Sequence, residues 1–128
     1  MGLKVDIEKN SEGNQLTVSL TGSLDSDTYQ EVEKKVLPLI NASIKGVLLN
    51  MQGLTYISSI GFSVIFRAKQ SVEKYGGTLV IANLQPNVKK IFDSVKVIPE
   101  SIFATLQEAD DYLDKFIAFI NSQAKKNE

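Results

Sequence analysis

The sequence predicts an α/β fold in which a mixed sheet of four to five strands is covered by about four helices. Two observations support this prediction. Residues 3–8 and 16–21 alternate polar and apolar side chains, and the rest of the chain alternates short apolar runs with amphipathic helical segments. The resulting order is β-β-α-β-α-β-α-(β)-α, with right-handed β-α-β crossovers. Residues 1–128 are expected to form one domain, with a core at about 3–120 and a frayed tail at 123–128.

The first two strands are predicted from period-two alternation. Their apolar positions are Leu3, Val5 and Ile7 in the first strand, and Leu16, Val18 and Leu20 in the second. Residues 10–14 are turn formers, so the two strands are expected to form an antiparallel hairpin. A polar loop is then expected from Gly22 through Asp25 to Asp27.

The first helix is predicted from a capping-box spacing between Thr28 and Glu31. Its apolar stripe consists of Tyr29, Val32, Val36 and Ile40. Pro38 is expected to end or kink the helix near Leu37, because proline lacks the backbone N–H that a helix interior requires.

Two short apolar runs, Gly46–Met51 and Thr78–Ala82, are typical of strands that are buried on both faces. Between them, a helix is expected to begin at Ser58 and Ser59 and to end at Gly76 and Gly77. Its core-facing stripe is predicted to be Gly61, Val64, Ile65, Ala68, Val72 and Tyr75.

The last third of the chain predicts two helices. Pro86 suits the first turn of a short helix, in which Val88, Ile91 and Phe92 face inward. Before Pro99, at most a short edge strand is expected, built from Val95, Val97 and Ile98. Thr105 and Glu108 have capping-box spacing at the start of the last helix. The apolar face of that helix is predicted to be Leu106, Ala109, Leu113, Phe116, Ile117 and Ile120.

Composition narrows the classes of function. The chain has no histidine and no cysteine, and it lacks the glycine-rich patterns that bind phosphates. We therefore expect no catalytic residues, no metal site and no cofactor, although a small enzyme or nucleotide-binding domain is kept as a hypothesis. A net charge of −1 argues against nucleic-acid binding. No apolar run approaches the ~20 residues of a membrane span, so a cytoplasmic protein without membrane insertion is expected. The sequence predicts no oligomeric state.

The main candidate site is the serine pair Ser58 and Ser59, which follows the third predicted strand and begins the second predicted helix. Ser58 or Ser59 caps the helix in the simplest interpretation. Ser59, Phe62, Ser63 and Phe66 are expected to share one flank of that helix, away from its core stripe. Phe62 and Phe66 either pack against a neighbouring helix or form a docking patch for a partner. Asp25 either belongs to a helix-capping cluster or joins this binding surface.

The residues Tyr56-Ile57-Ser58-Ser59-Ile60-Gly61-Phe62 resemble the signature of the STAS family, which includes the bacterial anti-sigma factor antagonists. Thr21-Gly22-Ser23-Leu24-Asp25 resembles a second family motif, and the element order agrees over about residues 3–120. The resemblance implies a non-enzymatic switch that binds an anti-sigma factor serine kinase. It further implies that the kinase phosphorylates Ser59 and is then released, and that a phosphatase resets the switch. With the helix flank and the Asp25 loop described above, the predicted partner-binding residues are Asp25, Ser58, Ser59, Phe62, Ser63 and Phe66.

Three positions depart from the family pattern. Ser58 stands where many phosphorylated antagonists have aspartate, Asn50 replaces a common aspartate, and Ile60 is bulkier than usual. These departures keep a second hypothesis open: a STAS subunit of a membrane lipid-transport assembly, which would bind the transporter ATPase without being phosphorylated. A STAS domain fused to a transporter is disfavoured by the lack of a long apolar segment.

Overall fold

The computed structural model describes residues 2–95 and 101–126. The strands are β1 Leu3–Lys9, β2 Gln15–Leu24, β3 Gly46–Ile57, β4 Thr78–Ala82 and β5 Ile102–Phe103. The helices are α1 Tyr29–Lys35, α2 Ser59–Lys74, α3 Pro86–Val95 and α4 Leu106–Lys126, and a short 3-10 turn covers Leu37–Leu39. The element order therefore confirms the predicted α/β fold with a mixed five-stranded sheet.

The strands lie side by side in the order in which they occur in the chain, β1-β2-β3-β4-β5. β1 and β2 form the predicted antiparallel hairpin, with Leu3 opposite Gly22 and Lys9 opposite Leu16. β2, β3, β4 and β5 pair in parallel. Because the carboxyl ends of parallel strands meet at one edge, the loops that follow β2 and β3 are brought together.

The sheet buries both of its faces over the central strands. On one face, α1, α2 and α3 cover the larger core, to which β3 contributes Val47, Leu49 and Met51. On the other face, α4 packs Ala109 and Leu113 against Leu48, Val80 and Ala82. The alternation of β3 side chains between the two cores explains why the run Gly46–Met51 is apolar throughout.

Two strands are longer than the sequence predicts. β3 continues past Met51 to Ile57, and β2 continues past Leu20 to Leu24, where Gly22 and Ser23 were expected to begin a loop. The β2–β3 register shifts twice, between Ser19 and Thr21 and between Gly22 and Ser23. Gly22 has φ 110°, a left-handed conformation that favours glycine. These irregularities break the simple alternation, so the pattern alone ended both strands too early.

The first helix begins differently from the prediction. Thr28 precedes α1, but its side chain makes no capping hydrogen bond to the helix, so the predicted capping box with Glu31 is wrong. The Thr28 hydroxyl is used instead by the preceding loop. The helix ends at Lys35, close to the predicted end at Leu37, and Pro38 lies in the 3-10 turn that follows.

The other helices largely follow their predicted stripes. In α2 the predicted residues Gly61, Val64, Ile65, Ala68 and Val72 are buried. Tyr75 was assigned to the same stripe, but it lies after the helix and is 37% exposed, because the chain turns away at the glycines that follow.

The C-terminal part of the chain differs from the prediction at one strand. A strand that the sequence did not predict is formed by Ile102–Phe103. Of the predicted edge strand, Val95 is the last residue of α3, and 97 and 98 lie outside the described residues. The predicted cap of α4 is present, since the Glu108 N–H donates to the Thr105 hydroxyl at 3.2 Å. The helix continues to Lys126 and so includes most of the segment predicted to fray.

Candidate functional site

The candidate site lies where β3 ends and α2 begins. Ser58 has an extended backbone (φ −98°, ψ 175°), and its hydroxyl accepts a hydrogen bond from the Gly61 N–H at 3.3 Å. The backbone N–H of Ser58 donates to the Leu24 carbonyl at 2.9 Å. Ser58 is therefore the N-cap of α2, and it also joins the start of the helix to the end of β2.

Gly61 allows the first turn of α2 to lie directly against the end of β2. A Cβ atom at this position would be 2.5 Å from the Leu24 carbonyl oxygen and 2.8 Å from the Leu24 Cγ. Both distances are shorter than an ordinary contact, so a side chain here would push the helix away from the strand. The glycine of the predicted signature thus has a packing role, which is to hold the serine-bearing turn in place.

Ser59 is the first residue of α2, and it is exposed. Its carbonyl accepts a hydrogen bond from the Ser63 hydroxyl at 3.0 Å. Within residues 2–95 and 101–126, no group hydrogen-bonds to the Ser59 hydroxyl itself, since the capping role is taken by Ser58. The hydroxyl is therefore free for chemistry at a helix N-terminus, where the dipole favours a negative charge.

Phe62 and Phe66 lie on the flank of α2 that also carries Ser59 and Ser63. Phe62 is half-buried and packs against Phe92 of α3, with ring centroids 5.1 Å apart and an interplanar angle of 59°. Phe66 is also half-buried. Phe62, Ser63, Phe66 and Arg67 line a depression of about 280 Å³. Phe62 therefore packs against a neighbouring helix, as one alternative predicts. Docking of a partner on the apolar surface of the two rings stays a prediction.

The loop that contains Asp25 lies next to the serine pair, because Leu24 pairs with Ile57 in the β2–β3 register. The Asp25 carboxylate accepts from the Asp27 N–H at 2.9 Å and lies 3.2 Å from the Thr28 hydroxyl. The Thr28 hydroxyl donates to the Ser23 carbonyl at 2.7 Å and accepts from the Asp25 N–H at 3.0 Å. Asp25 is thus near the site, with its carboxylate engaged in ordering its own loop.

Two apolar residues at the site were missed as candidates. Tyr56 is 51% exposed and Ile60 is 38% exposed, on either side of the serine pair. Both lie outside the core periodicity: Tyr56 precedes the buried Ile57 on a strand, and Ile60 is off the buried stripe of α2. That departure from the periodicity was the signal that could have identified them.

Charged side chains near the site include Asp27 and Arg67. Asp27 is exposed in the loop beside the serines. Arg67 lies one turn beyond Ser63, and its guanidinium is 2.7 Å from the Glu33 carboxylate of α1. In the part of the chain that the structure describes, no group of three or more acidic side chains is arranged to hold a metal ion. The exposed apolar side chains around a free hydroxyl are suited to binding a protein.

Over residues 2–95 and 101–126, no helix is both long and apolar enough to cross a bilayer.

Comparison with known proteins gives one family and several similar folds. The family model of the STAS domain matches residues 6–109. The anti-sigma F factor antagonist of Lysinibacillus sphaericus is 23% identical over 97 residues, which cover 75% of this chain and 83% of that protein. The structure of the anti-sigma factor antagonist SpoIIAA in its unphosphorylated form has a TM-score of 0.76 at 21% identity, covering 88% of this chain and 97% of that one. The phosphorylated form of the Bacillus protein SpoIIAA has a TM-score of 0.70 at 20% identity, covering 85% and 98%.

Proposed function

The chain belongs to the STAS domain family, and we propose that it acts in that family as an anti-sigma factor antagonist. In this proposal the protein is a binding switch and not an enzyme: it engages an anti-sigma factor serine kinase and is released when Ser59 is phosphorylated. A relative with this name supports the proposal, as does the fold shared with SpoIIAA, a protein whose phosphorylated form has been solved.

One observation carries the choice of Ser59. Ser58 caps α2, so the exposed hydroxyl of Ser59 is not needed for the cap and makes no hydrogen bond within the described residues. A phosphate on Ser59 would add about −1.5 to −2 charge at the positive end of the helix dipole. The fold of the protein itself should tolerate that charge, because the capping hydrogen bond is made by its neighbour.

The same phosphate would oppose binding of a partner. Ser59 lies on the flank of Phe62, Ser63 and Phe66, and the depression between the two rings offers apolar surface to a partner. A partner that covers this flank must remove water from the phosphate on Ser59. Desolvating a doubly charged group without a compensating cation is costly, so the phosphorylated protein should dissociate. A phosphatase would then restore the binding-competent form.

The test measures binding of an anti-sigma factor kinase from the same organism by isothermal titration calorimetry. The protein, Ser59→Ala and Ser59→Asp are compared, with Ser122→Asp as a matched control on exposed α4, on the opposite face of the sheet. We expect Ser59→Ala and Ser122→Asp to bind as the unmodified chain does. Ser59→Asp should raise the dissociation constant at least about tenfold, which corresponds to ~1.4 kcal/mol.

Phosphorylation is then tested directly with the kinase and ATP. The mass of the chain should increase by one phosphate, fragment spectra should place it on Ser59, and Ser59→Ala should remain unmodified. Equal binding by all variants, or a phosphate on another residue, would contradict the proposal. Capture of a transporter ATPase by all variants would instead favour the lipid-transport hypothesis.

A further inference from the structure

β1 forms one edge of the sheet. It has seven residues, Leu3–Lys9, and it pairs on one side with β2. Among the described residues, no strand lies on its other side. An edge of this length presents a row of backbone N–H and C=O groups that can pair with another strand.

The hydrogen bonds at the two ends of the hairpin show which backbone groups face outward. The Ser23 N–H donates to the Gly2 carbonyl at 3.2 Å, and the Asn10 N–H donates to the Gln15 carbonyl at 3.0 Å. In an antiparallel ladder, residues alternate between pairs that exchange hydrogen bonds and pairs that do not. The even-numbered residues of β1 therefore bond to β2. The residues whose N–H and C=O groups point to the free edge are Leu3, Val5 and Ile7.

The exposed face of β1 carries one cation and two carboxylates, and two of these charges can pair with a second copy of the strand. The three side chains are Lys4, Asp6 and Glu8, all exposed, and Lys4 and Asp6 lie 3.7 Å apart on that face. If a second β1 pairs antiparallel about Val5, each Lys4 faces the other copy's Asp6, and no like charges are opposed. These facing residues form non-hydrogen-bonded pairs, in which the Cα atoms approach to about 4.5 Å.

Neighbouring registers are disfavoured by charge. A register centred on Asp6 places the two Asp6 side chains opposite each other, and one centred on Lys4 does the same with the two lysines. A register centred on Ile7 places Asp6 opposite Glu8. Like charges directly opposite destabilise a strand pair, so the charge pattern selects the register centred on Val5.

We propose that β1 is a self-association surface, through which two copies of this chain join their sheets about a twofold axis at Val5. The strand pair contributes six backbone hydrogen bonds by the alternation above, from Val5 with Val5 and from Leu3 with Ile7 in both directions. The apolar side chains on the core face of β1 support the proposed self-association, because Leu3, Val5 and Ile7 are only partly buried in the single chain. A second copy would cover more of each.

The proposed contact between two β1 strands is small, so the dimer must be measured at high chain concentration. Two paired strands bury less surface than the ~1,200 Å² of a standard interface, so a weak, concentration-dependent dimer is expected. Sedimentation equilibrium up to millimolar chain concentration should show the mass rising from 14.1 kDa toward twice that value. A constant mass of one chain over this range would overturn the proposal.

Val5→Pro tests pairing at the free edge of β1 and leaves the hydrogen bonds between β1 and β2 intact. Proline removes the outward N–H at the twofold axis, and an edge position that faces away from the sheet is where strands accept proline. We expect the dimer to weaken at least about tenfold, while the thermal unfolding of the single chain stays close to that of the parent. An unchanged dimer would refute the assigned edge.

Charge exchange supplies a test that does not depend on Val5→Pro folding. Lys4→Glu and Asp6→Lys each place like charges opposite one another in both pairs, so each variant alone should be monomeric at concentrations where the parent dimerises. Mixed in equal amounts, they restore opposite charges in both pairs and should form a heterodimer.

Glu8→Lys is the matched control, because in the register centred on Val5 it faces Gly2 and should dimerise as the parent does. If the mixture does not associate, or if Glu8→Lys alone abolishes the dimer, the proposed register is wrong. The proposal is independent of Ser59, and Ser59→Asp should leave the dimer unchanged.

Discussion

Replacing Gly61 with alanine has two effects of opposite sign on the free energy of unfolding. Gly61 lies in the first turn of α2, where alanine would favour the helix by about 1 kcal/mol because glycine is the poorer helix former. The same methyl group would be 2.5 Å from the Leu24 carbonyl oxygen and 2.8 Å from the Leu24 Cγ. The sign of the change in the free energy of unfolding therefore shows which effect dominates.

The steric effect should dominate, because the nearest atom belongs to the backbone. The Leu24 carbonyl accepts the Ser58 N–H at 2.9 Å, so it cannot move without weakening the bond that joins β2 to α2. Overpacking of a tight core costs about 1–3 kcal/mol, and more where the neighbour is rigid. Subtracting the ~1 kcal/mol gain in helix propensity leaves a loss of about 0–2 kcal/mol. Because the contacted carbonyl is rigid, we expect the upper end of this range, so Gly61→Ala should lower the free energy of unfolding by about 2 kcal/mol.

Urea denaturation followed by circular dichroism measures this difference, with an unchanged slope showing that the unfolding remains two-state. Gln70→Gly, at an exposed position of the same helix, gives the propensity effect alone, and a loss of about 0.5–1 kcal/mol is expected there. If Gly61→Ala is as stable as the parent or more stable, propensity dominates. The close approach of α2 to β2 would then not be the reason for glycine at this position.

Three further changes test the surroundings of the site and the surface of α4. Ser58→Ala removes the acceptor of the Gly61 N–H and should cost about 0.5–2 kcal/mol in urea denaturation; no loss would mean that the cap is not formed. Thr28→Val keeps the shape of a buried side chain but leaves the Asp25 N–H without its acceptor, so a loss of about 1–3 kcal/mol is expected, against little change for Thr28→Ser. Desolvation and the neighbouring carboxylates raise the pKa of Asp114 above 3.8, so its ionisation disfavours the folded state at neutral pH. Asp114→Asn should therefore raise the melting temperature at pH 7, and this gain should fall with added salt and vanish as the pH drops below 3.8. A gain that is independent of pH would show that ionisation of Asp114 is not its cause.

The regular parts of the fold were predictable because their side chains repeat with the period of the element. The hairpin and the buried stripe of α2 illustrate this, since period two and a spacing of three or four residues are direct consequences of backbone geometry. The prediction failed where the backbone departs from regularity. The β2–β3 register shifts near Gly22, and β2 continues past this point although the alternation is interrupted there. The fifth strand, Ile102–Phe103, has only two residues and therefore gives no periodic signal.

The candidate site was predictable in position and less so in detail. The start of α2 at Ser59 and the shared flank of Phe62 and Phe66 follow from helical geometry once the helix is placed. Which serine caps the helix did not follow from the sequence, because either hydroxyl suits that position. The exposure of Tyr56 and Ile60 was signalled by their departure from the core periodicity, but the sequence prediction did not use that signal.

The separate roles of the two adjacent serines give the proposed switch a physical basis. A modified residue that also supported the fold would couple partner release to loss of structure. Here the capping hydrogen bond belongs to Ser58, and the contact of Gly61 with Leu24 holds the helix start, so neither depends on the Ser59 hydroxyl. A charge added at Ser59 acts on the exposed flank and meets the favourable end of the helix dipole. The stability of the chain and its affinity for a partner can therefore change independently, which is what a reversible protein-binding switch requires.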